Sequence, residues 1–194
     1  TDAEIRQIPT ARALDLLKLL LEDDAVLKIG QNIKYDMQVL ANLGIRVAPI
    51  DDTMLISYVL DGALHGHGMD ELAQLHLDHT TVKYKDVVGA GKAQVTFDRV
   101  PLEAARDYAA EDAEVTLRLH RVLKPRLVAE RMVTVYETMD RPLVPVLERM
   151  ERWGIKVDAA ELKRLSDDFA GRLIDLEDKI HQLAGRPFNV GSPK

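Results

Sequence analysis

The stretch that decides the fold is Val26-Leu27-Lys28-Ile29-Gly30-Gln31-Asn32-Ile33-Lys34-Tyr35-Asp36. Its first four residues predict a short strand that ends at Gly30, and a helix is expected over about 33–43. Asn32 and Asp36 are four residues apart, so they lie on the same side of the first helical turns. A carboxylate where a strand meets a helix suits a hard divalent cation, which prefers oxygen ligands. The alternative is that Asn32 only caps the helix and Asp36 is solvated.

The elements around this junction are mainly helical. Asp52 and Asp158 can each cap a helix, and Pro125 is expected to break or kink a long helix that starts at Pro101. The stretch 80–98 is expected to be irregular. A second short strand is predicted at 45–48, and since two strands rarely form an independent sheet, further strands are expected upstream of Thr1. The predicted helices span residues 11–22, 33–43, 53–60, 69–77, 101–124, 133–153 and 159–184.

A second chemical motif is Tyr108-Ala109-Ala110-Glu111-Asp112, inside the long helix. Tyr108 and Asp112 are also four residues apart, and the alanines between them add little bulk. A phenol beside a carboxylate can hold a water between its hydroxyl and a metal ion. The alternative is a partly buried tyrosine with no chemical role, next to a surface carboxylate.

The bulk composition excludes several classes of protein. The 194 residues carry a net charge of −6, whereas a protein that passively coats nucleic acid is expected to be basic. The chain contains no cysteine, which rules out disulfides and thiolate metal sites. Hydrophobic residues make up 46% of the chain, enough for a core, yet no apolar run of about 18 residues is present, so no membrane span is expected.

The two motifs have the forms Asn-x-x-x-Asp and Tyr-x-x-x-Asp. They resemble the second and third motifs of the exonucleases that use four acidic residues and a tyrosine. Further segments resemble bacterial DNA polymerase I, a family A DNA polymerase, in the order of that family. These segments are residues 28–36, 52–55, 69–73, 108–113, 142–147, 150–158 and 188–194.

The resemblance implies an α/β, ribonuclease-H-like exonuclease fold, incomplete at its N-terminal strands, over residues 1–132. Residues 133–194 would then be the mainly helical start of a polymerase domain. Under this resemblance Asp36 and Asp112 hold divalent metal, and Tyr108 orients the attacking water. The residues implied to contact DNA are Gln31, Asn32 and Tyr84, of which Tyr84 would stack beside the single-stranded end.

The implied chemistry is two-metal hydrolysis of the 3′-terminal phosphodiester, that is, proofreading in a polymerase of replication and repair. The implied ion is Mg²⁺, with Mn²⁺ or Zn²⁺ as alternatives, and the two-metal site is expected only in the complete domain. The implied partner is DNA, as a single-stranded 3′ end or a primer-template. We expect a monomer in the bacterial cytoplasm.

The first motif of the family, an Asp-x-Glu on a strand, is expected upstream of Asn32. Asp2 and Glu4 have its spacing but not its strand-and-turn context, so we expect the true motif to be missing and the chain to be a fragment. An alternative function is a non-catalytic, exonuclease-like platform that positions DNA. A stand-alone RNA-trimming exonuclease is disfavoured by residues 142–194, which continue towards a polymerase domain.

One further pattern suggests a metal site. His65 and His67 are separated by one residue in a loop rich in glycine and histidine. Zinc favours histidine ligands, but the sequence offers no evident third ligand, so we expect solvated loop histidines. Gly89-Ala90-Gly91-Lys92 lacks the spacing of a phosphate-binding loop and is expected to be a flexible loop near the DNA end.

Overall fold

The structure is a computed structural model and describes residues 7–192. Asp2 and Glu4, which carry the Asp-x-Glu spacing, lie outside the described residues. The strands are β1 (Lys28–Gly30) and β2 (Ile50–Asp52). The helices are α1 (Thr10–Leu21), α2 (Ile33–Ala41), α3 (Thr53–Asp61), α4 (Met69–Leu77), α5 (Tyr84–Val88), α6 (Leu102–Ala129), α7 (Val133–Val135), α8 (Arg141–Trp153) and α9 (Ala159–Ala184). A π-helical turn, Tyr136–Asp140, joins α7 to α8.

The two strands pair in parallel, with Ile29 opposite Asp51. The second strand therefore lies at 50–52, and the strand predicted at 45–48 is wrong. The backbone of that stretch bonds to helices instead, because Ile45 N–H donates to the carbonyl of Leu40 (3.0 Å) and Ala48 N–H to that of Leu21 (3.3 Å). These N–H groups are not available for a strand ladder.

The carboxylate of Asp52 fixes the start of two helices at once. Its Oδ1 accepts from Asn32 N–H (3.0 Å) and Met54 N–H (2.9 Å), and its Oδ2 accepts from Ile33 N–H (3.0 Å). The predicted cap of α3 by Asp52 is confirmed. The same residue also satisfies the first N–H groups of α2, so one side chain sets the strand-to-helix junction of both βα turns.

The largest part of the core lies where α3 and α4 pack on α6. Helix α6 does not end near residue 124 as predicted, but continues through Pro125 to Ala129. Leu123 and Leu127, on either side of Pro125, are 0% and 1% exposed, and their packing holds the helix across the lost backbone hydrogen bond. The buried cluster comprises Ile56, Leu72, Ala73, Val115, Leu119, Leu123, Leu127 and Tyr136.

A buried carboxylate ties the start of α8 to the sheet. Asp51, which is 0% exposed, accepts from His120 Nε2 (2.8 Å) and Tyr136 Oη (3.0 Å), and pairs with Lys124 Nζ (3.0 Å) and Arg141 Nη1 (3.3 Å). Tyr136 Oη also accepts from the N–H of Asp52 at 3.1 Å. This network places residues after 132 against the same core as β2.

The chain divides into two compact units, one ending at Trp153 and one beginning at Gly154. In the second unit, Asp158 caps α9 as predicted, accepting from Ala160 N–H (3.1 Å) and Glu161 N–H (3.0 Å). The domain boundary expected between residues 132 and 133 stays a prediction. Among the described residues, no helix is both long and apolar enough to cross a membrane.

Candidate functional site

Asn32 does not cap α2 with its side chain. Its backbone is left-handed (φ 57°, ψ 45°), a conformation that asparagine tolerates better than most residues. Because Asp52 supplies the cap, the side chain of Asn32 is exposed at the junction and can contact a ligand. Its neighbour Gln31 is already engaged, since its Nε2 donates to the carbonyl of His67 at 2.8 Å.

Asp36 lies one helical turn after Asn32, on the exposed side of α2. Partial desolvation by neighbouring groups raises the pKa of its carboxyl, and the charge of Asp52 raises it further, against a backbone hydrogen bond that lowers it. A divalent cation would relieve both unfavourable effects, so the donor at this position fits the proposed metal.

Tyr108 and Asp112 share one face of α6, as their spacing predicts. Burial, followed by the charge and hydrogen bonding of Asp112, raises the pKa of Tyr108 to about 12, so the phenol is neutral at physiological pH. The pKa of Asp112 is also raised, by desolvation first and then by the charges of Glu111 and Asp70, although its interaction with Tyr108 lowers it. The pair combines a neutral hydroxyl with a carboxylate in an acidic environment.

Three aromatic rings meet beside this pair. Tyr84 and Phe97 are stacked, with ring centroids 6.2 Å apart and planes 18° apart. Tyr108 meets both edge-on, at 6.0 Å from Tyr84 and 5.9 Å from Phe97. Sequence reasoning missed Phe97, because it lies in a 3₁₀ turn (Phe97–Arg99) of the stretch expected to be irregular, where no periodicity marks it.

The segment that carries Tyr84 is anchored to α4 and α6. The N–H of Val82 donates to Glu111 Oε2 at 2.7 Å, and Lys83 Nζ donates to Asp70 Oδ2 at 2.8 Å. Tyr84, at the first residue of α5, is 48% exposed. An anchored segment with a half-exposed ring is suited to stack on an unpaired base.

The candidate residues lie on α5 and α6 and at the start of α2. Tyr84, Tyr108 and Asp112 come together on α5 and α6, while Gln31, Asn32 and Asp36 lie at the start of α2. Within residues 7–192, neither Asp36 nor Asp112 belongs to a group of three metal-capable side chains with their ligand atoms in mutual reach. The two-metal site therefore stays a prediction for the complete domain.

Comparison with known proteins places the chain in a family. A profile of the 3′-5′ exonuclease family matches residues 2–128. DNA polymerase I of Rhizobium leguminosarum is 57% identical over 188 residues, which are 97% of this chain and 18% of that protein. DNA polymerase I of Pseudomonas aeruginosa is 46% identical over 192 residues, 97% of this chain and 21% of that protein. The chain thus spans about a fifth of the length of these relatives.

Solved structures share the fold. The POL domain of Pol1 from M. smegmatis, in complex with DNA primer-template and dNTP, has a TM-score of 0.71 and 23% identity, over 97% of this chain and 29% of that chain. NrnC of Brucella melitensis has a TM-score of 0.61 and 24% identity, over 78% of this chain and 68% of that chain. These findings confirm the predicted fold class, an α/β, ribonuclease-H-like exonuclease fold. The chain belongs to the DNA polymerase I family, and its residues 2–128 match the 3′-5′ exonuclease domain of that family.

Proposed function

We propose that the chain is the larger part of the proofreading 3′-5′ exonuclease of a DNA-directed DNA polymerase, with residues 133–194 beginning the polymerase domain. The observation that carries this proposal is the pairing of Tyr108 with Asp112 on α6 beside the rings of Tyr84 and Phe97. A catalytic pair and a stacking surface at one place suit hydrolysis at the end of a single strand.

Each residue has a distinct task in this proposal. Tyr84 and Phe97 stack on an unpaired base near the 3′ end, in a sequence-tolerant way. Tyr108, neutral because of its raised pKa, uses its hydroxyl to position the attacking water. Asp36 and Asp112 would hold the divalent ions, Mg²⁺ in the first place, which supply an activated water and charge stabilisation when bound. Asn32, whose side chain is exposed, would contact the terminal nucleotide, and Gln31 would do so on releasing its hydrogen bond to the carbonyl of His67.

The partner we propose is DNA with a single-stranded 3′ end, bound by a monomeric polymerase in the bacterial cytoplasm. The Pol1 relative of known structure was solved with a DNA primer-template, and an NrnC structure carries bound Mg²⁺, which supports this choice of partner and ion.

A non-catalytic platform is the second candidate. It is favoured by one observation: among residues 7–192, neither Asp36 nor Asp112 belongs to a group of three metal-capable side chains. The experiment that separates the two uses the complete polymerase, with the double variant Asp36→Ala/Asp112→Ala. If the domain is an exonuclease, the double variant loses 3′ trimming and keeps primer extension. If the domain is a platform, the parent polymerase already shows no trimming.

A further inference from the structure

A second group of metal-capable side chains lies apart from the proposed exonuclease residues. Asp61, His65 and His76 each offer one ligand atom, and these atoms all lie within 4.8 Å of one another. Asp61 ends α3, His65 lies in the following loop and His76 is on α4. The sequence singled out His65 and His67 and lacked a third ligand. The structure corrects this, because the group contains Asp61 and His76 and omits His67.

His67 is committed to holding the loop. Its Nδ1 lies 2.8 Å from Ser57 Oγ, and its Nε2 lies 2.6 Å from the carbonyl oxygen of Gly62. Since a carbonyl only accepts hydrogen bonds, Nε2 carries the proton and Nδ1 accepts from the hydroxyl. Neither nitrogen has a lone pair left for a metal ion.

His65 is arranged as metal-binding histidines commonly are. Its Nδ1 lies 2.6 Å from the carbonyl oxygen of Gly66, so Nδ1 carries a proton and Nε2 is the nitrogen that can ligate a metal ion. That Nε2 lies 3.4 Å from Asp61 Oδ2. A backbone carbonyl on the distal nitrogen fixes the tautomer and the orientation of a ligating imidazole.

His76 supplies an independent sign that a partner is missing. Its Nε2 is buried and has no hydrogen-bond partner. A buried, unpaired polar atom costs free energy, and a metal ion bound to this nitrogen would satisfy it.

The charges around the group balance a dication. The carboxylate of Asp61 accepts a two-point hydrogen bond from Arg126, at 2.7 and 3.0 Å. Arg126 adds a positive charge, but Glu130 also pairs with it at 2.8 Å. Glu71 lies near His65 and accepts a hydrogen bond from the N–H of Gly66 at 3.1 Å. Asp61 and Glu130 thus pair with the one guanidinium, and Glu71 adds a third carboxylate beside His65.

We propose that Asp61, His65 and His76 bind one transition-metal ion, with Zn²⁺ as the expected ion. Two imidazoles and a carboxylate are a donor set that zinc favours, with water completing a tetrahedron. Donors about 2.1 Å from a tetrahedral zinc lie about 3.4 Å apart, which Asp61 and His65 already satisfy. The ion would join the α3–α4 loop to α4. This site is independent of the proposed exonuclease function.

The test is a calorimetric titration of Zn²⁺ into the 194-residue chain, with excess Mg²⁺ present to occupy oxygen-only sites. We expect one Zn²⁺ per chain with at least micromolar affinity, and a tetrahedral visible spectrum when Co²⁺ replaces zinc. His65→Gln and His76→Gln should each weaken binding at least about tenfold. His181→Gln, on α9, is the matched control and should bind as the parent does.

Melting temperatures show whether a loss of zinc binding comes from misfolding of a variant. His65 lies in a loop, so His65→Gln should melt at the parental temperature in EDTA. The parent and His181→Gln, but not His65→Gln, should gain stability on adding Zn²⁺. The proposal is overturned if the parent binds Zn²⁺ no more tightly than about 100 μM. It is equally overturned if both His65→Gln and His76→Gln bind Zn²⁺ with parental affinity.

Discussion

The ring of Tyr84 lies 6.0 Å from that of Tyr108, with the two planes 63° apart. Tyr84 begins α5, a short helix within the stretch expected to be irregular, and thereby meets the long helix α6 at the proposed catalytic tyrosine. Because Glu111 of α6 holds the backbone of Val82, the stacking ring and the hydrolytic pair are fixed to the same helix. Binding of the DNA end and positioning of the water are therefore expected to depend on one anchored segment.

The first prediction concerns Tyr84→Ala in the complete polymerase. Loss of the ring should weaken binding of a single-stranded 3′ end by about tenfold or more, since stacking contributes about 1–3 kcal/mol per base. Fluorescence anisotropy with a labelled oligothymidine measures this. Tyr84→Phe keeps the ring and serves as the control, so parental affinity in both variants would show that Tyr84 does not stack on DNA.

The second prediction concerns the 194-residue chain alone. It should trim single-stranded DNA little or not at all, because two adjacent dications need several anionic oxygens. Within residues 7–192, neither Asp36 nor Asp112 belongs to a group of three metal-capable side chains. Incubation with a 5′-labelled oligonucleotide and Mg²⁺ checks this. Vigorous Mg²⁺-dependent trimming that Asp112→Ala abolishes would contradict it.

The third prediction is that the Asp112 carboxylate costs stability at neutral pH without metal. Its pKa is raised in the folded state, so folding favours the protonated form. The contribution of protonated Asp112 to folding stability is fully present below the pKa of this carboxyl in the unfolded chain, and it is lost as pH rises through its pKa in the folded state. Asp112→Asn should therefore unfold at a higher urea concentration than the parent at pH 7, and the gap should close in acid. A less stable Asn variant at pH 7 would argue that Asp112 is structural.

The fourth prediction concerns Asp51, whose environment has the opposite effect. Burial alone would raise its pKa, but hydrogen bonds from His120, Lys124 and Tyr136 outweigh burial and hold the pKa well below its usual range. Its stabilising contribution is present above the unfolded-state pKa and is lost as pH falls through the folded-state pKa.

Asp51→Ala should destabilise the chain by about 3–5 kcal/mol, because cations that pair with a buried carboxylate lose their partner. Urea unfolding at pH 7 measures the loss, with Asp158→Ala, an exposed cap of α9, as a control expected to cost about 1 kcal/mol. Similar small losses in both variants would rule out the network as a main support of the core.

Local features of the fold were predictable from the sequence, and long-range ones were not. Asp52 and Asp158 were recognised as caps because capping acts within three residues. The second strand was misplaced, because apolar alternation at Ile45 and Val47 also fits residues buried against helices. Continuation of α6 through Pro125 depends on packing that no local pattern shows.

The candidate site shows the same division. The spacing of Tyr108 and Asp112 is local, so their shared face of α6 could be predicted. Phe97 meets Tyr108, and His76 meets Asp61 and His65, only through the packing of separate elements, which no spacing rule shows. Asp61 and His65 alone are four residues apart. His65 drew attention only through its neighbour His67, which the structure commits to other contacts.

The central claim is that Tyr108 acts in the chemistry through its hydroxyl. Tyr108→Phe retains the ring and its contacts with Tyr84 and Phe97, and removes only the hydroxyl beside Asp112. If the tyrosine is only structural, this loss costs about 1 kcal/mol of stability and leaves the chemistry unchanged. If the hydroxyl positions the attacking water, its loss slows cleavage by about 10²-fold or more.

The most direct measurement is the single-turnover rate of 3′ cleavage by the complete polymerase at saturating DNA and Mg²⁺, with melting temperature and primer extension measured on the same preparation. The account predicts that Tyr108→Phe cleaves about 10²-fold more slowly, while its melting temperature and primer extension stay close to those of the parent. Cleavage at the parental rate would contradict it.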